Sequence, residues 1–215
     1  MALDNQSPEL FGQTPSQTVG PFFHYGLPWK GGADLIGDSE LGARPELMPA
    51  EHYLLGGPTT KGAIHGEPIE LVGRVLDAQG QPVPDALIEI WQADASGRYG
   101  GGNAPDGFIG FGRSATSEAG EYRFRTIRPG RVPGPGGGLQ AAHIAVGVFG
   151  RGLLKRLATR LYFEDAEGLA EDPVLACAPP ERRATLLAKR VGESPVTYRF
   201  DIVLQGPAET VFFDL

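Results

Sequence analysis

Cysteine is all but missing from this 215-residue chain: Cys177 is the only one, so no internal disulfide can form. A reducing compartment, the cytoplasm, is the expectation. Basic residues are also scarce. Nineteen Lys and Arg against 26 Asp and Glu leave a formal charge of -7, and no run of Lys and Arg builds a face that nucleic acid would seek. No apolar run approaches the length of a membrane span. Residues 1–6 offer neither the basic start nor the apolar stretch of a secretion signal. Nucleic-acid, membrane and secreted roles are all disfavoured.

What is plentiful is glycine and proline, 32 and 19 residues, beside a normal 41% of apolar residues. Ample apolar content with frequent chain breakers favours an all-β sandwich or barrel over disorder. β-rich runs over residues 69–76, 86–93, 121–127, 142–149, 157–163, 197–204 and 210–213 are separated by turn clusters such as Asp77-Ala78-Gln79-Gly80. Their spacing predicts a mainly-β, two-sheet sandwich over residues 69–215. Residues 1–68 read as an extended arm, in which Pro15, Gly20 and Pro21 exclude a helix. Phe22, Phe23, Tyr25 and Trp29 in that arm call for a surface to anchor on, either the chain's own core or another subunit. One short helix is predicted near the C-terminus, over residues 179–190. Prolines and Glu181 lead it and Lys189 and Arg190 end it, the order that the helix dipole favours.

The chemistry turns on His143. In a strand, side chains two apart share a face about 7 Å from one another, so a His-x-His pair would aim two imidazoles at one ion. Here the second position is Ala145. Read alone, His143 is more simply a hydrogen-bonded core histidine, and Tyr99 a buried phenol. His24, His52 and His65 have no carboxylate or histidine at ligand spacing, and Cys177 has no histidine near it.

Several motifs nevertheless share one layout: Trp91-Gln92-Ala93-Asp94 leading to Gly97-Arg98-Tyr99, then Phe111-Gly112-Arg113, Tyr122-Arg123-Phe124 with Arg128-Pro129-Gly130, Ala142-His143-Ile144, and Arg160-Leu161-Tyr162-Phe163-Glu164-Asp165. With Thr14-Pro15-Ser16-Gln17-Thr18 and Thr210-Val211-Phe212-Phe213-Asp214 near the two ends, the chain resembles the intradiol ring-cleaving dioxygenases. The ends resemble the α subunits of a two-subunit branch of that family. The resemblance implies a catalytic Fe(III) held by two tyrosines and two histidines, which opens a catechol ring with O2 between its hydroxyl-bearing carbons. Phenolate and imidazole suit a hard ferric ion.

Carried over residue by residue, Tyr99 and His143 match one tyrosine and one histidine of that ligand set. Val132 stands at the second tyrosine and Ala145 at the second histidine. Gln140 replaces an arginine that steadies the substrate. Tyr99, Val132, His143, Ala145 and Gln140 therefore make a relic metal site. Two donors do not hold Fe(III) against water, so no metal and no catalytic residue of its own are expected for this chain. The resemblance implies instead a β partner subunit that holds the Fe(III), in an obligate complex of αβ pairs acting on protocatechuate (3,4-dihydroxybenzoate) and O2. Thr18, Val19, Gly20 and Pro21 would wall the partner's pocket, and Arg151 would face the substrate carboxylate. On the residues alone, Arg151 reads equally well as a surface-turn arginine between Gly150 and Gly152. Two other readings stand beside this one: an independent dioxygenase recruiting Tyr122 or Tyr162 as substitute ligands, and a non-enzymatic β-sandwich binding module.

Overall fold

The computed structural model describes residues 17–20, 22–23, 32–37, 41, 64–100, 108–134 and 137–214. Strict alternation opens the domain. In β1 (Pro68–Leu76) Ile69, Leu71, Gly73 and Val75 are buried, while the residues between them face outward. The same period shapes β2 (Leu87–Gln92), β3 (Phe111–Ala115) and β4 (Glu121–Ile127). Two short strands, β5 (Val132–Pro133) and β6 (Leu139–Gln140), form their own hairpin. They lead into β7 (His143–Phe149) and β8 (Leu157–Phe163). The chain closes with β9 (Leu187–Glu193), β10 (Val196–Arg199) and β11 (Ile202–Val203).

These strands make the two-sheet sandwich. One half runs β4–β1–β10, with β11 continuing beside β1, and the other runs β3–β2–β7–β8. β9 joins the halves, antiparallel to β10 and parallel to β8. The main core lies between them, with Leu71, Phe124 and Tyr198 on one side and Ile88, Ile144 and Leu161 on the other, all essentially inaccessible. A smaller cluster of Ala141, Tyr162, Leu175, Leu186 and Val211 packs beside it.

The opposite seam, between β3 and β4, is stitched by residues 32–37. Arg113 N–H donates to the Gly32 carbonyl at 2.7 Å, and Leu35 N–H donates to the Arg125 carbonyl at 2.8 Å. Buried Asp34 takes the Arg125 guanidinium at 2.9 Å. This part of the expected arm therefore lies against its own sandwich. Tyr25 and Trp29, like His24 and His52, fall outside the described residues.

Three local expectations change. The C-terminal helix is present but is a 3-10 turn over Pro180–Leu186, and extended backbone begins at Leu187. Leu186 and Ala188 are both buried, one in the minor cluster and one in the sheet. Meeting both demands costs the helix its last turn. The single strand expected over residues 197–204 breaks into β10 and β11, because the Asp201 carboxylate accepts the Arg74 N–H at 3.0 Å in place of a ladder carbonyl. Residues 210–213 form no strand: they make one bridge, Ala158 with Phe213, and one backbone bond from Thr210 N–H to the Val203 carbonyl among the described residues. Among the described residues, no helix is long and apolar enough to cross a membrane.

Gly73 shows how closely the β1 and β10–β11 segments approach. A Cβ there would meet the Phe200 carbonyl at 1.9 Å and the Tyr122 ring at 2.7 Å, and the Tyr122 hydroxyl donates to that same carbonyl. Gly73→Ala is expected to cost about 3 kcal/mol by overpacking. Tyr122→Phe, which removes only the hydrogen bond, is expected to cost about 1–2 kcal/mol. Urea unfolding of the two variants checks both the size and the order.

Candidate functional site

β7 lies between β2 and β8, and its alternation divides two populations of side chain. Ile144, Val146 and Val148 enter the core, while His143, Ala145 and Gly147 face the other way. Register then sets the neighbours. Ala145 lies opposite Trp91 of β2 and opposite Arg160 of β8, and His143 lies opposite Tyr162. The His143 and Tyr162 rings are 5.7 Å apart. Trp91 carries Tyr99 stacked on it at 5.9 Å and 12°, and Tyr99 remains 44% exposed. Val132 is buried and pairs with Gln140 across the β5–β6 hairpin.

The residues of the expected relic site are thus brought together, and Arg160 stands beside them, across from Ala145. Its guanidinium donates to Gln140 Oε1 at 2.6 Å, and its charge bears on Tyr99, His143 and Tyr162. Burial raises the Tyr99 phenol above its usual range, with Arg160 opposing. Burial, and after it the nearby Asp172 carboxylate, pushes Tyr162 up much further. Burial lowers the His143 imidazole. Its bond to the Ala141 carbonyl, 2.8 Å from Nδ1, opposes this, Arg160 reinforces it and Asp172 opposes it.

Asp172 organises the wall behind these groups. It is fully buried and accepts from the Tyr162 hydroxyl at 3.0 Å and from the N–H groups of Ala141, Val174 and Leu175 at 2.8–2.9 Å.

This set does not fit Fe(III). Val132 and Ala145 carry no donor atom, and the Arg160 guanidinium stands beside these residues on Gln140, where its charge opposes a second cation. Among the described residues, no group of three His, Cys, Asp or Glu side chains could hold a metal ion. The substitute ligands fare no better. Tyr122 points into the main core toward Phe200. Tyr162 does neighbour His143, because β8 pairs with β7 in that register, but its hydroxyl is committed to Asp172. Arg160 and Asp172 carry much of the local geometry and were not apparent as site residues. An arginine alternating with apolar residues in a strand was the signal available for the first. Nothing short of the fold brings Asp172 to Tyr162.

A second cluster lies at the other end of β7, about 20 Å away along a strand of seven residues. There the turn over residues 150–153 is closed by Leu153 N–H on the Gly150 carbonyl, with Gly152 at φ +86°. Gly152 N–H donates to Thr18 Oγ1 at 2.6 Å. The Phe23 ring lies 6.1 Å from that of Phe149, and Phe23 N–H closes a turn on the Gly20 carbonyl. Arg151 is 61% exposed and ion-paired to Asp85 at 2.7 Å. Thr18, Val19 and Gly20 are thereby seated on the turn that bears Arg151, and Pro21 lies outside the described residues.

Comparison with known proteins agrees with this frame. A family model described as "Dioxygenase" matches residues 50–206. The protocatechuate 3,4-dioxygenase alpha chain of Burkholderia cepacia is 44% identical over 212 residues, covering 94% of this chain and 98% of that one. The beta chain from the same organism is 37% identical over 174 residues, covering 75% of this chain and 74% of its own length. Among solved structures, the dioxygenase domain of a dioxygenase–carbohydrate-binding fusion from Streptomyces sp. SirexAA-E superposes with a TM-score of 0.54 at 27% identity, covering 74% of this chain and 96% of that one.

The depressed basicity of His143 has a consequence for stability. The folded-state value lies below that of the unfolded chain, so the unfolded chain takes up the proton first as pH falls. The His143 contribution is complete above about pH 6.5 and declines as pH drops below it. In His143→Asn, the loss of stability between about pH 6.5 and 5 is expected to be shallower. Urea unfolding at a series of pH values measures it, and an unchanged slope would assign the acid sensitivity elsewhere.

Proposed function

The chain belongs to the intradiol ring-cleaving dioxygenases, an iron-dependent family, and from that membership we propose that it is the α subunit of a protocatechuate 3,4-dioxygenase. In this reading a β subunit holds the Fe(III), and the αβ complex converts protocatechuate and O2 to 3-carboxy-cis,cis-muconate. The alpha- and beta-chain relatives support a complex of two related chains. The donor set of this chain supports assigning the iron to its partner: a valine and an alanine stand at two of the four ligand positions.

One observation carries the proposal. Thr18 Oγ1 accepts the Gly152 N–H, which locks the arm to the Arg151 turn at the end of β7 remote from the chain's own relic site. Side chains gathered there cannot serve a pocket at the start of β7. They suit a pocket on another chain. Thr18, Val19 and Gly20, with Pro21 following, present backbone and small groups to a flat aromatic ring.

Arg151 supplies the charge. Its guanidinium matches a carboxylate in geometry and sign, and Asp85 holds it in place at 2.7 Å while the side chain stays open to solvent. A carboxylated catechol is then preferred over plain catechol. The iron in the partner activates the ring toward O2, and the residues of this chain bind and orient the acid.

Two measurements test the reading. Co-purified with its β partner, the chain is expected to give a coloured ferric complex with one iron per αβ pair, whereas the chain alone binds none. Iron retained by the isolated chain would refute the assignment. In the complex, Arg151→Ala is expected to raise KM for protocatechuate about tenfold, with kcat and iron content little changed. Unchanged kinetics would remove Arg151 from the site.

A further inference from the structure

The relic site has more order than a disused metal pocket needs. Trp91, Ala145 and Arg160 stand in one row across β2, β7 and β8, all on the outward face. With strands about 4.8 Å apart, Trp91 and Arg160 rise roughly 10 Å from one another, and between them projects only the methyl group of Ala145. The row is therefore a slot, with an indole on one side, a guanidinium on the other and a methyl floor.

Its sides are chemically distinct. The indole side is extended by Tyr99 stacked on Trp91 and by Phe111 at 6.3 Å from Trp91. Trp91 and Tyr99 are 37% and 44% exposed, large values for paired aromatic rings. The guanidinium side is fixed, because Gln140 Oε1 accepts from Arg160 at 2.6 Å and Gln140 Nε2 in turn donates to the Pro133 carbonyl at 3.2 Å.

Charge balance points the same way. Arg74, Arg113, Arg123, Arg125, Arg190 and Arg199, the other strand arginines among the described residues, all have carboxylate partners. Arg160 is half-buried and, among the described residues, has no carboxylate at ion-pair distance; its hydrogen-bond partner is the neutral Gln140 amide. Asp172, behind Tyr162, is engaged instead by three backbone N–H groups and the Tyr162 hydroxyl. A half-buried cation held by a neutral amide has unspent affinity for an anion.

We propose that this slot is a second ligand site, specific to this chain and non-catalytic, which takes an aromatic carboxylate with its ring against Trp91 and Tyr99 and its carboxylate on Arg160. The site uses the place where relatives would put a metal, and it replaces the metal's charge with a fixed organic cation. It is separate from the Arg151 turn, so it does not depend on how that turn serves a partner.

Benzoate is the probe, titrated by calorimetry into the full chain in its purified complex, with benzamide as the neutral isostere. The expected result is one benzoate per copy of this chain in addition to any bound at iron, accompanied by a change in tryptophan emission. Benzamide is expected to bind this additional site at least tenfold more weakly. Arg160→Met should weaken the additional site by at least tenfold. Ala145→Leu, which keeps the charge and fills the floor, should abolish it. Benzoate bound only in proportion to iron would overturn the proposal. So would equal affinity for benzamide, or binding indifferent to both substitutions.

Discussion

The register of β7 between β2 and β8 is the constraint on which the rest of the molecule depends. Each strand repeats every two residues, so a slip of one position would send Ile144, Val146 and Val148 to the other face and turn His143 and Ala145 into the main core. The core does not tolerate that inversion, because those apolar residues face Leu71, Phe124 and Tyr198 from the other half. Hydrophobic burial thus fixes the row of outward residues without any contribution from the site. Residues on the outward face can therefore change type while the sandwich persists. Val132 and Ala145 remove donor atoms but keep the pattern.

Loss of ligands leaves an electrostatic question, and the answer differs for each group. Burial raises the Tyr99 and Tyr162 phenols above their usual range and lowers the His143 imidazole. Arg160 supplies the single fixed charge among them. Gln140 orients it from one side, and Asp172, engaged with the backbone of residues 141 and 174–175, braces Tyr162 from behind. Farther along the same face, the Arg156 side chain lies over Gly147, where a Cβ would come within 3.1 Å of it. This face is lined by guanidinium groups and aromatic rings.

Much of this was legible in the sequence, and for a physical reason. Strands that bury one face announce themselves by alternation, and 121–127 and 157–163 match their observed ends. β9 did not, because Leu187, Ala188 and Val191 are as compatible with a helical continuation as with a strand; tertiary packing of Leu186 and Ala188 decided it. The stitching of β3 to β4 by residues 32–37 was also hidden, since the stretch Gly32-Ala33-Asp34 carries no period and most of the bonds involved are backbone bonds. In the site, the residue types at 99, 132, 140, 143 and 145 could be read directly. What could not be read was the guanidinium that stands beside them. Arg160 reaches that position only through strand pairing, which places it across from Ala145.

The two ends of β7 now divide the labour of the chain. At its start, His143 and Ala145 stand beside Arg160 in a set of side chains that does not suit Fe(III). At its end, the turn at residues 150–153 receives Thr18 and exposes Arg151. A strand that is rigid at both ends transmits geometry between them without transmitting chemistry. Losing function at one end therefore places no strain on the other. The arm explains why the far end is kept. Gly152, at positive φ, lets the turn offer its N–H to Thr18, and Asp85, only 14% exposed, pins Arg151 from inside the fold. An arginine merely decorating a surface turn needs neither constraint. Together they hold a charged side chain and a segment of backbone in fixed relation on the outside of the molecule, which is what a pocket shared with a second chain requires.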